Sequence, residues 1–498
     1  MLDQYALLNK IRRRVFQDVA KIAYDGDFAK VEELPYTILQ ESVGRSSIFL
    51  ERAIVSERIR LAIGLPIRSP KEHMPLSYGI EDAIKSEKYY EPPLVNIIDF
   101  ACNSCPKESY FVTDVCEGCL ANPCANVCPK GAIKIVNGKS IINQELCVHC
   151  GKCASICPYN AIIHRERPCA KACGMHAIES DENGKAKINY DKCVSCGMCM
   201  VNCPFGAIAD KSQIVQVIQA IKSDVPVYAV VAPAFIGQFG LKVNLKTIDD
   251  AMKKLGFAGV YEVSIGADIC TNSEAEDFLE NVPSRLKFLA TSCCPAWSKM
   301  AKMEYPEFKD NISMAMTPMV YTARLVKKEH PNSKVVFIGP CAAKKLEASR
   351  KSVRSDVDFV LTFEETYGMF LAKDVDFSKL EEAPLKNITT ADGRGFAVMG
   401  GVAQAVVNAA KIIDPNRQVP VFAAQGLDNC RSMLKLAKMG RYDGYLLEGM
   451  ACPMGCISGA GTVESSTKVK ALVGMSQKEA TKKNSTESEY KDMFNKLD

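Results

Sequence analysis

The chain opens with two segments in which apolar residues recur every three or four positions. This spacing places apolar side chains on one face of a helix. The segments run over residues 11–24 and 47–65. They predict a helical domain over residues 1–95. No pattern there indicates chemistry, so the expected role of this domain is packing or docking.

From about residue 225 the pattern changes to short apolar runs that alternate with helical stretches. Such alternation predicts parallel strands with helices on the sheet faces. We expect two four-stranded, mainly parallel sheets, one from the first four runs and one from the last four. The candidate strands cover residues 227–233, 258–263, 287–292, 335–340, 357–362, 395–401, 420–426 and 443–449.

The expected fold class is a multidomain α/β and α+β protein. After the helical domain we expect a cysteine-rich segment over 96–210, a two-lobed domain over 211–463 and a solvated polar tail over 464–498. No apolar run reaches the ~18–20 residues that a membrane helix needs. The N-terminus also lacks the pattern of a secretory signal. We therefore expect a cytoplasmic protein with no membrane span.

Composition supports a folded chain and draws attention to one residue type. The 498 residues are 47% hydrophobic and 24% charged, as in ordinary globular proteins. The formal net charge is +4 without a basic stripe, which argues against a nucleic-acid partner. Of the 23 cysteines, sixteen lie between Cys102 and Cys203. In a long chain without a signal they predict metal-binding thiolates rather than disulfides.

Two stretches of the cysteine-rich segment share the pattern C-x2-C-x2-C-x3-C-P. Three thiolates at this spacing bind three corners of a [4Fe–4S] cubane, and the fourth reaches the other cluster. The sequence therefore predicts two cubanes that exchange their fourth ligands. The predicted sets are Cys147, Cys150, Cys153 and Cys203, and Cys193, Cys196, Cys199 and Cys157.

Two degenerate copies of the pattern lie nearby, together with one separate C-x2-C pair. Their eight thiols suffice for two further cubanes, which gives about four accessory clusters. Spacing alone does not assign these thiols, and a zinc site at Cys102 and Cys105 stays an alternative. Such a row of clusters relays electrons, so substrate chemistry must lie elsewhere. The eight are Cys102, Cys105, Cys116, Cys119, Cys124, Cys128, Cys169 and Cys173.

Seven cysteines lie outside this segment, and five of them fall in three motifs that follow candidate strands. The motifs are TSCCPAW (291–297), GPCAAKK (339–345) and EGMACPMGCISGAG (448–461). Ligands of parallel sheets bind beyond the carboxyl ends of the strands. We therefore expect the three motifs to converge on one crevice that holds a metal cluster. Cys270 and Cys430 remain as candidates for inert packing.

The trio TSCCPxW, PCxxKK and ExMxCxxGCxxG resembles the three signature motifs of [FeFe]-hydrogenases. The segment before it resembles the ferredoxin-like accessory-cluster region of monomeric members, so the resemblance covers about residues 96–463. It implies an enzyme that reversibly oxidises H2 or reduces protons. It also implies electron exchange with a ferredoxin-type carrier and maturation proteins that supply a diiron subsite.

The resemblance also implies a cofactor and its ligands. The cofactor is the H-cluster, a [4Fe–4S] cubane joined to a diiron subsite that carries CO, cyanide and a bridging dithiolate amine. Cys456 would bridge the cubane to the diiron subsite. The ligands of the cubane would be Cys294, Cys341, Cys452 and Cys456.

Other residues would surround the diiron subsite. Cys293 would pass protons to and from the amine, and Lys344 would donate a hydrogen bond to one cyanide. Met450 would pack beside the irons. The backbone of Ala232 and Pro233 would lie against the other cyanide.

Three positions depart from the family pattern and indicate a divergent branch. Gly339 stands where Met is common, and Ala234 stands where Ser is common. Asn281 aligns with an Arg of the proton path, so the outer part of that path is doubtful. Candidates for its inner part are Glu274, Asp277 and Ser313.

Two other functions remain open. Some relatives of hydrogenases act in iron–sulfur protein assembly, and others sense hydrogen or redox state without high turnover. The presence of Cys293, Lys344, Met450 and Cys456 favours an enzyme over an assembly factor. No sensing module is recognisable, which favours an enzyme over a sensor.

The clusters also change the expected charge of the protein. The formal value of +4 counts every thiol as neutral. An oxidised cubane with four thiolates adds about −2, and five of them bring the holoprotein to roughly −6. We therefore expect an acidic protein once the metal is bound.

Overall fold

The N-terminal part of the protein is helical, as the apolar spacing predicted. The computed structural model describes residues 6–69, 71–87, 92–383 and 389–497. Ser47 caps the third helix by accepting a hydrogen bond from the Phe49 amide, and Gly64 ends it in a left-handed conformation. The helices are α1 (Ala6–Asp25), α2 (Leu34–Ile38), α3 (Ile48–Ile63) and α4 (Ile80–Ala83).

The cysteine-rich segment consists of short strand pairs and single-turn helices. All four strand pairs are antiparallel. The pairs are β1 (Val95–Ile97) with β8 (Ile208–Asp210), β2 (Ser109–Val112) with β5 (Ile162–Arg165), β3 (Ile133–Val136) with β4 (Lys139–Ile142), and β6 (Ile178–Ser180) with β7 (Ala186–Ile188). The helices are α5 (Pro123–Asn126), α6 (Lys152–Ile156), α7 (Pro168–Lys171) and α8 (Met198–Val201).

The strand pairing divides this segment into two nested units. The β2–β5 pair closes residues 109–165 into an inner module. The β1–β8 pair joins residues 95–105 to residues 166–210, which together form an outer module. The inner module is thus inserted into the chain of the outer one.

The first lobe contains a four-stranded parallel sheet in the order β10-β9-β12-β13. Its strands are almost wholly buried apolar residues, as expected for a sheet covered on both faces. Apolar residues of α1 and α3 belong to the same core, so the N-terminal helices pack on this lobe. The strands are β9 (Val227–Val231), β10 (Gly259–Glu262), β12 (Lys334–Gly339) and β13 (Phe359–Thr362).

The second lobe contains a three-stranded parallel sheet in the order β11-β15-β14, not the predicted four strands. The strands are β11 (Leu289–Ala290), β14 (Val421–Gln425) and β15 (Leu446–Met450). Two candidate strands lie in the sheet opposite to the one predicted for them. Residues 287–292 contribute to the second sheet, and residues 357–362 contribute to the first.

The run at 395–401 is not a strand, which corrects the sequence prediction. It connects two helices, and Gly400 adopts a left-handed φ of 85° at the start of the second. Phe396 and Ala397 are buried there. A short buried apolar run has the same pattern in a strand and in a connection between helices, so periodicity does not separate the two.

Helices flank both sheets and lead into the strands. Those of the two-lobed region are α9 (Ile214–Ile221), α10 (Ile248–Leu255), α11 (Ser264–Asn281), α12 (Pro295–Glu304), α13 (Pro318–Glu329), α14 (Ala343–Ala348), α15 (Phe363–Ala372), α16 (Ala391–Gly395), α17 (Gly401–Ile413) and α18 (Leu427–Lys438). Among the described residues, none of these or the other helices is both long and apolar enough to cross a bilayer.

The C-terminal tail is folded onto the catalytic region, so the prediction of a solvated extension was wrong. It forms α19 (Ser466–Glu479) and α20 (Phe494–Leu497). Val469 and Val473, one turn apart, are fully buried. The Ser485 hydroxyl donates to Asn272 Oδ1 on α11 at 2.9 Å. The polar majority of the tail's composition hid this short buried face of α19, and Met475 on the same helix is exposed.

Replacement of Gly449 by Ala is expected to destabilise the second lobe. A Cβ at Gly449 of β15 would overlap the indole ring of Trp297, which is fully buried. Overpacking of this kind costs about 1–3 kcal/mol. Gly474→Ala in α19 is the control, because a Cβ there has no heavy atom within 4 Å and Ala favours a helix. Thermal unfolding should show a lower Tm for Gly449→Ala only; equal Tm values would contradict the packing described.

Candidate functional site

The three cysteine motifs of the catalytic region lie at the carboxyl ends of strands from both sheets. Cys293 and Cys294 follow β11, and Cys341 follows β12. Cys452 and Cys456 follow β15. The predicted convergence of the motifs is present, although the first motif comes from the second sheet rather than the first.

These cysteines line one cavity of about 90 Å³ between the two lobes. Its wall is mostly apolar and contains one cationic side chain. The candidate residues in the wall are Ala232, Pro233, Ala234, Cys293, Cys294, Cys341, Lys344, Met450, Cys452 and Cys456. Thus all predicted ligands of the catalytic cluster, and the residues predicted around its diiron subsite, face the same space.

The cavity thiols lie close enough to influence one another electrostatically. Burial and the charge of Cys294 raise the pKa of Cys341 to about 11. Burial, with Cys341 and Cys294, raises the pKa of Cys456 to about 12 and that of Cys452 well above 9.0. Thiolates there need a positive partner, because uncompensated buried charges are costly. Together with Cys294 these three thiols form a donor set that fits an iron–sulfur cluster.

Two glycines let the backbone of the third motif approach the rest of the site. Gly455 has a left-handed φ of 89°, and a Cβ there would lie 2.6 Å from the Met399 amide nitrogen. A Cβ at Gly459 would overlap the carbonyl oxygen of Pro340, next to Cys341. Side chains at these positions would push Cys452 and Cys456 away from Cys341.

Lys344 is held beside the cavity by an acidic partner. Its Nζ donates to Glu347 Oε2 at 2.7 Å, and Glu347 Oε1 accepts from the Thr317 hydroxyl at 2.7 Å. Burial lowers the pKa of Lys344, but Glu347 and the neighbouring thiols outweigh this effect and raise it overall. The ammonium group is therefore kept charged in a buried position.

Glu274 is a buried carboxyl near Cys293. It lies on α11, and its Oε1 accepts from the Ser292 amide at 3.4 Å. Burial raises its pKa to about 7, while the Ser313 hydroxyl and the Ser292 amide oppose this rise. Burial, and then the charge of Glu274, raise the pKa of the Cys293 thiol well above 9.0. The predicted group of Cys293, Glu274 and Ser313 is thus brought together.

Asp277, the other acidic candidate of the predicted proton path, lies about one turn further along α11. Burial raises the pKa of Asp277, and its carboxylate accepts from Asn281 Nδ2 at 2.8 Å. The positive charge of Arg285 also lowers the pKa of Asp277, although less than burial raises it. Arg285 lies four residues beyond Asn281 and was not among the residues predicted from the sequence.

The departure at Gly339 has a steric explanation. A Cβ at Gly339 would lie 2.5 Å from ring atoms of Phe337 and 3.3 Å from the Cβ of Ala232. Phe337 lines the cavity. Its ring therefore occupies the space that a longer side chain at position 339 would require.

Glu448, the first residue of the third motif, has a structural role that its sequence position did not reveal. It is fully buried, and its carboxylate accepts from the amides of Gly400 and Ala403 at 2.8 Å each. These amides belong to the first turn of α17, where a carboxylate compensates unpaired donors and the helix dipole. Glu448 thereby ties β15 to α17 and holds the third motif in place.

The accessory cysteines are grouped differently from the sequence prediction. Cys157 lines a recess of the inner module, and Cys203 lines a recess of the outer module. The predicted exchange of these two cysteines between the complete motifs was therefore wrong, because β2 and β5 close the inner module on itself. Cys157 shares its recess with Cys116, Cys119 and Cys124, and Cys203 shares its recess with Cys102, Cys105 and Cys169.

The outer module contacts the wall of the catalytic cavity. A Cβ at Gly197 would lie 2.6 Å from the Cβ of Ala460 and 3.3 Å from that of Ala342, which follows Cys341. Burial is the main cause that raises the pKa of Cys196 to about 12, and Cys341 is among the charges that add to it. The loop of Cys196 is thus the part of the outer module beside the cavity thiols.

Comparison with known proteins identifies the class of this protein. Residues 225–460 match the family described as the iron-only hydrogenase large subunit, C-terminal domain. Residues 140–163 and 186–209 match a 4Fe-4S binding domain. The chain is an iron–sulfur protein of the [FeFe]-hydrogenase-like class.

Its similarity to individual relatives is distant. Iron hydrogenase 1 of Clostridium pasteurianum is 27% identical over 423 residues, 74% of this chain and 73% of that protein. The NADP-reducing hydrogenase subunit of Solidesulfovibrio fructosivorans is 26% identical over 64% of this chain, which spans 56% of that protein.

The relatives also include proteins of another function. Cytosolic iron-sulfur assembly component 3 of Bos taurus is 26% identical over 47% of this chain and 62% of that protein.

A solved [FeFe]-hydrogenase from Chlamydomonas reinhardtii has 21% identity and a TM-score of 0.48, covering 56% of this chain and 93% of that one.

The buried carboxyl of Glu274 is expected to make stability depend on pH. Its pKa is about 7 in the folded state and 4.5 in the reference state, so between these values only the folded state holds the proton. Its contribution to the free energy of unfolding is therefore largest below about pH 4.5 and falls by up to about 3 kcal/mol as pH rises to about 7. Glu274→Gln should remove this fall, which denaturant unfolding at several pH values measures.

Glu280→Gln is the matched control for this prediction. Glu280 lies on the same helix but is exposed. Its replacement should leave the pH dependence of the wild type unchanged. An identical pH dependence for Glu274→Gln and the wild type would show that Glu274 does not hold its proton in the folded state.

Proposed function

We propose that the protein is a hydrogenase that catalyses reversible H2 oxidation and proton reduction at an H-cluster. Cys294, Cys341, Cys452 and Cys456 would hold its cubane. The observation that supports this proposal is that Cys293, Lys344 and Met450 line the same cavity as the four thiols. A cubane alone requires none of these three. When bound, the diiron subsite supplies a Lewis-acidic metal position and a nearby base for splitting H2.

Lys344 is suited to hold an anionic ligand of that subsite. An ammonium group has three hydrogen-bond donors, and Glu347 accepts one of them at 2.7 Å. The others remain for a ligand in the mostly apolar cavity, where a charge-assisted hydrogen bond is strong. Pro233 and Met450 lie in the cavity wall and would exclude water from the reacting position.

Cys293 and Glu274 are suited to hold and move protons. The thiol of Cys293 faces the cavity, and Glu274 lies behind it with a pKa of about 7. A group with a pKa near the working pH accepts and releases protons with little energy cost. Ser313 and Asp277 continue this route toward Asn281 and Arg285, with Arg285 as a charged group at its outer part.

Electrons would leave through the outer module to the inner one. The loop of Cys196 contacts the wall of the cavity, and Cys150 of the inner module is exposed. The inner module is therefore the side at which a soluble carrier of ferredoxin type would exchange electrons. Maturation proteins are the expected source of the diiron subsite.

A role in iron–sulfur assembly, or in sensing hydrogen or redox state, is the alternative. The similarity to iron-sulfur assembly component 3 favours this alternative. An assembly role leaves Cys293 and the Lys344–Glu347 pair, whose carboxylate is further held by Thr317, without a function in the cavity. A hydrogenase gives each of these side chains a role beside the cofactor.

Infrared spectroscopy of the anaerobically matured protein tests the proposed function. We expect intrinsic CO and cyanide stretching bands, because the cavity would hold the complete H-cluster. Protein made without the maturation proteins is the control and should contain iron but show no such bands. Matured protein with its full iron content and no bands would contradict the hydrogenase proposal and favour an assembly role.

Replacement of Cys293 separates cofactor binding from proton transfer. Cys293→Ala should keep the CO and cyanide bands but lower H2 turnover by at least about 10²-fold, since a positioned proton donor contributes about that much. Cys430→Ala is the control: this buried cysteine donates to the carbonyl oxygen of Ala424 and does not line the cavity. The Cys430→Ala variant should keep its H2 turnover. Full activity of Cys293→Ala would exclude its role in proton transfer.

A further inference from the structure

We propose that the protein contains four accessory [4Fe–4S] sites arranged as two nested two-cluster modules, with fourth ligands exchanged inside each module. The inner module would use the sets Cys116, Cys119, Cys124 and Cys157, and Cys147, Cys150, Cys153 and Cys128. The outer module would use the sets Cys102, Cys105, Cys169 and Cys203, and Cys193, Cys196, Cys199 and Cys173.

The first argument is that all four C-x2-C pairs have the same backbone turn. The second residue after the first cysteine has a left-handed φ in each pair, although three of these residues are not glycine. Such a conformation is uncommon outside glycine and marks a special turn. The separate pair at Cys102 is thus equivalent to the pairs of the complete motifs. The four residues are Ser104 (46°), Gly118 (60°), His149 (52°) and Ser195 (54°).

The second argument is that each pair has a third cysteine in an equivalent place. Each of the single-turn helices α5, α6, α7 and α8 carries one cysteine, and each of these is buried. The degenerate copy without its own pair therefore has the same helix as the complete motifs. The cysteines are Cys124, Cys153, Cys169 and Cys199.

The third argument concerns the last cysteine of each copy. Its sulfur accepts a hydrogen bond from the amide four residues later, at 3.3 or 3.4 Å. Amide donors to sulfur stabilise thiolate ligands and tune cluster potentials. The repeated Ala-Ile after each cysteine thus reflects a shared turn. The bonds join Ala132 to Cys128, Ala161 to Cys157, Ala177 to Cys173 and Ala207 to Cys203.

Two recesses assign the degenerate copies directly. The inner recess brings Cys157 to the pair at Cys116 and to Cys124 on α5. The outer recess brings Cys203 to the pair at Cys102 and to Cys169 on α7. Each recess therefore contains one pair, one helical cysteine and the last cysteine of another copy.

The other two sets follow from the remaining contacts. In the outer module, Cys173 packs against the same apolar core as Cys193 and Cys196. In the inner module, one small core contains Cys128, Cys147 and Cys153 together with Cys124 and Cys157. Since Cys124 and Cys157 line the recess of the first set, Cys128 is the cysteine left for the second. Cys128 and Cys173 would thus be the fourth ligands of the clusters bound by the complete motifs of their own modules.

The arrangement explains why the pair at Cys102 is far from its helix in sequence. The inner module, residues 109–165, is inserted between Cys105 and Cys169, and β2 pairs with β5 where the chain enters and leaves it. The guanidinium of Arg167 donates to the Cys105 carbonyl oxygen at 2.9 Å and so joins the two parts of the outer module.

A zinc site at Cys102 and Cys105 is a poorer fit. Within the described ranges, no three Cys, His, Asp or Glu side chains converge closely enough to hold a single metal ion. A cubane is larger than one ion and binds thiolates that lie further apart, at the corners of the cluster.

Iron counting in combined variants tests the assignment. We use the full chain made without maturation proteins, so the result does not rest on the proposed hydrogenase activity. Cys116→Ala with Cys119→Ala should remove one cluster of about four irons. Addition of Cys157→Ala should then cost no further iron, because that ligand belongs to the cluster already lost. If Cys203→Ala is added to the same double variant in place of Cys157→Ala, the protein should lose about four further irons.

The outer module provides the mirror experiment. In protein with Cys102→Ala and Cys105→Ala, Cys203→Ala should cost no further iron and Cys157→Ala should cost about four. The opposite result in either background would overturn the assignment. Loss of about one metal, rather than four, in the Cys102/Cys105 background would instead support a single-metal site.

Serine variants keep the test decisive if an alanine variant does not fold. Serine can still bind iron and changes the electron paramagnetic resonance signal of its cluster. Cys119→Ser with Cys157→Ser should alter one cluster signal, whereas Cys196→Ser with Cys157→Ser should alter two. Two altered signals in the first variant and one in the second would overturn the proposal.

Discussion

The burial of sulfur ligands between two parallel sheets is the constraint on which this structure depends. Burial raises the pKa of the cavity thiols Cys341, Cys452 and Cys456, so these thiols favour their neutral form when they bind no metal. Metal ions reverse this preference by supplying positive charge. Metal binding and folding of the region are therefore coupled, as in other sites whose ligands must be deprotonated.

The architecture meets this constraint by bringing strand ends together. Strands of a parallel sheet end at one edge, and one edge from each lobe faces the cavity. Glycine at positions 455 and 459 permits a close backbone approach, while Glu448 anchors the third motif to α17. The tail helix α19 packs over the same region, although its composition is polar.

In the proposed function, the routes for electrons and protons would begin at different elements around the cavity. The outer module reaches the cavity through the loop of Cys196, where sulfur ligands lie close to Cys341. Buried carboxyls follow α11 from Glu274 to Asp277. The two proposed routes would thus use different elements, the outer module for electrons and α11 for protons.

The sequence by itself determined that this is an iron–sulfur protein and predicted most secondary elements. Cysteine spacing identified the complete cubane motifs and the cavity motifs, because a local turn decides which thiolates can bind one cluster. Only the tertiary structure decided the lobe of residues 287–292, the helical connection at 395–401 and the partners of Cys157 and Cys203. These depend on strand pairing and packing between distant segments, which spacing along the chain does not record.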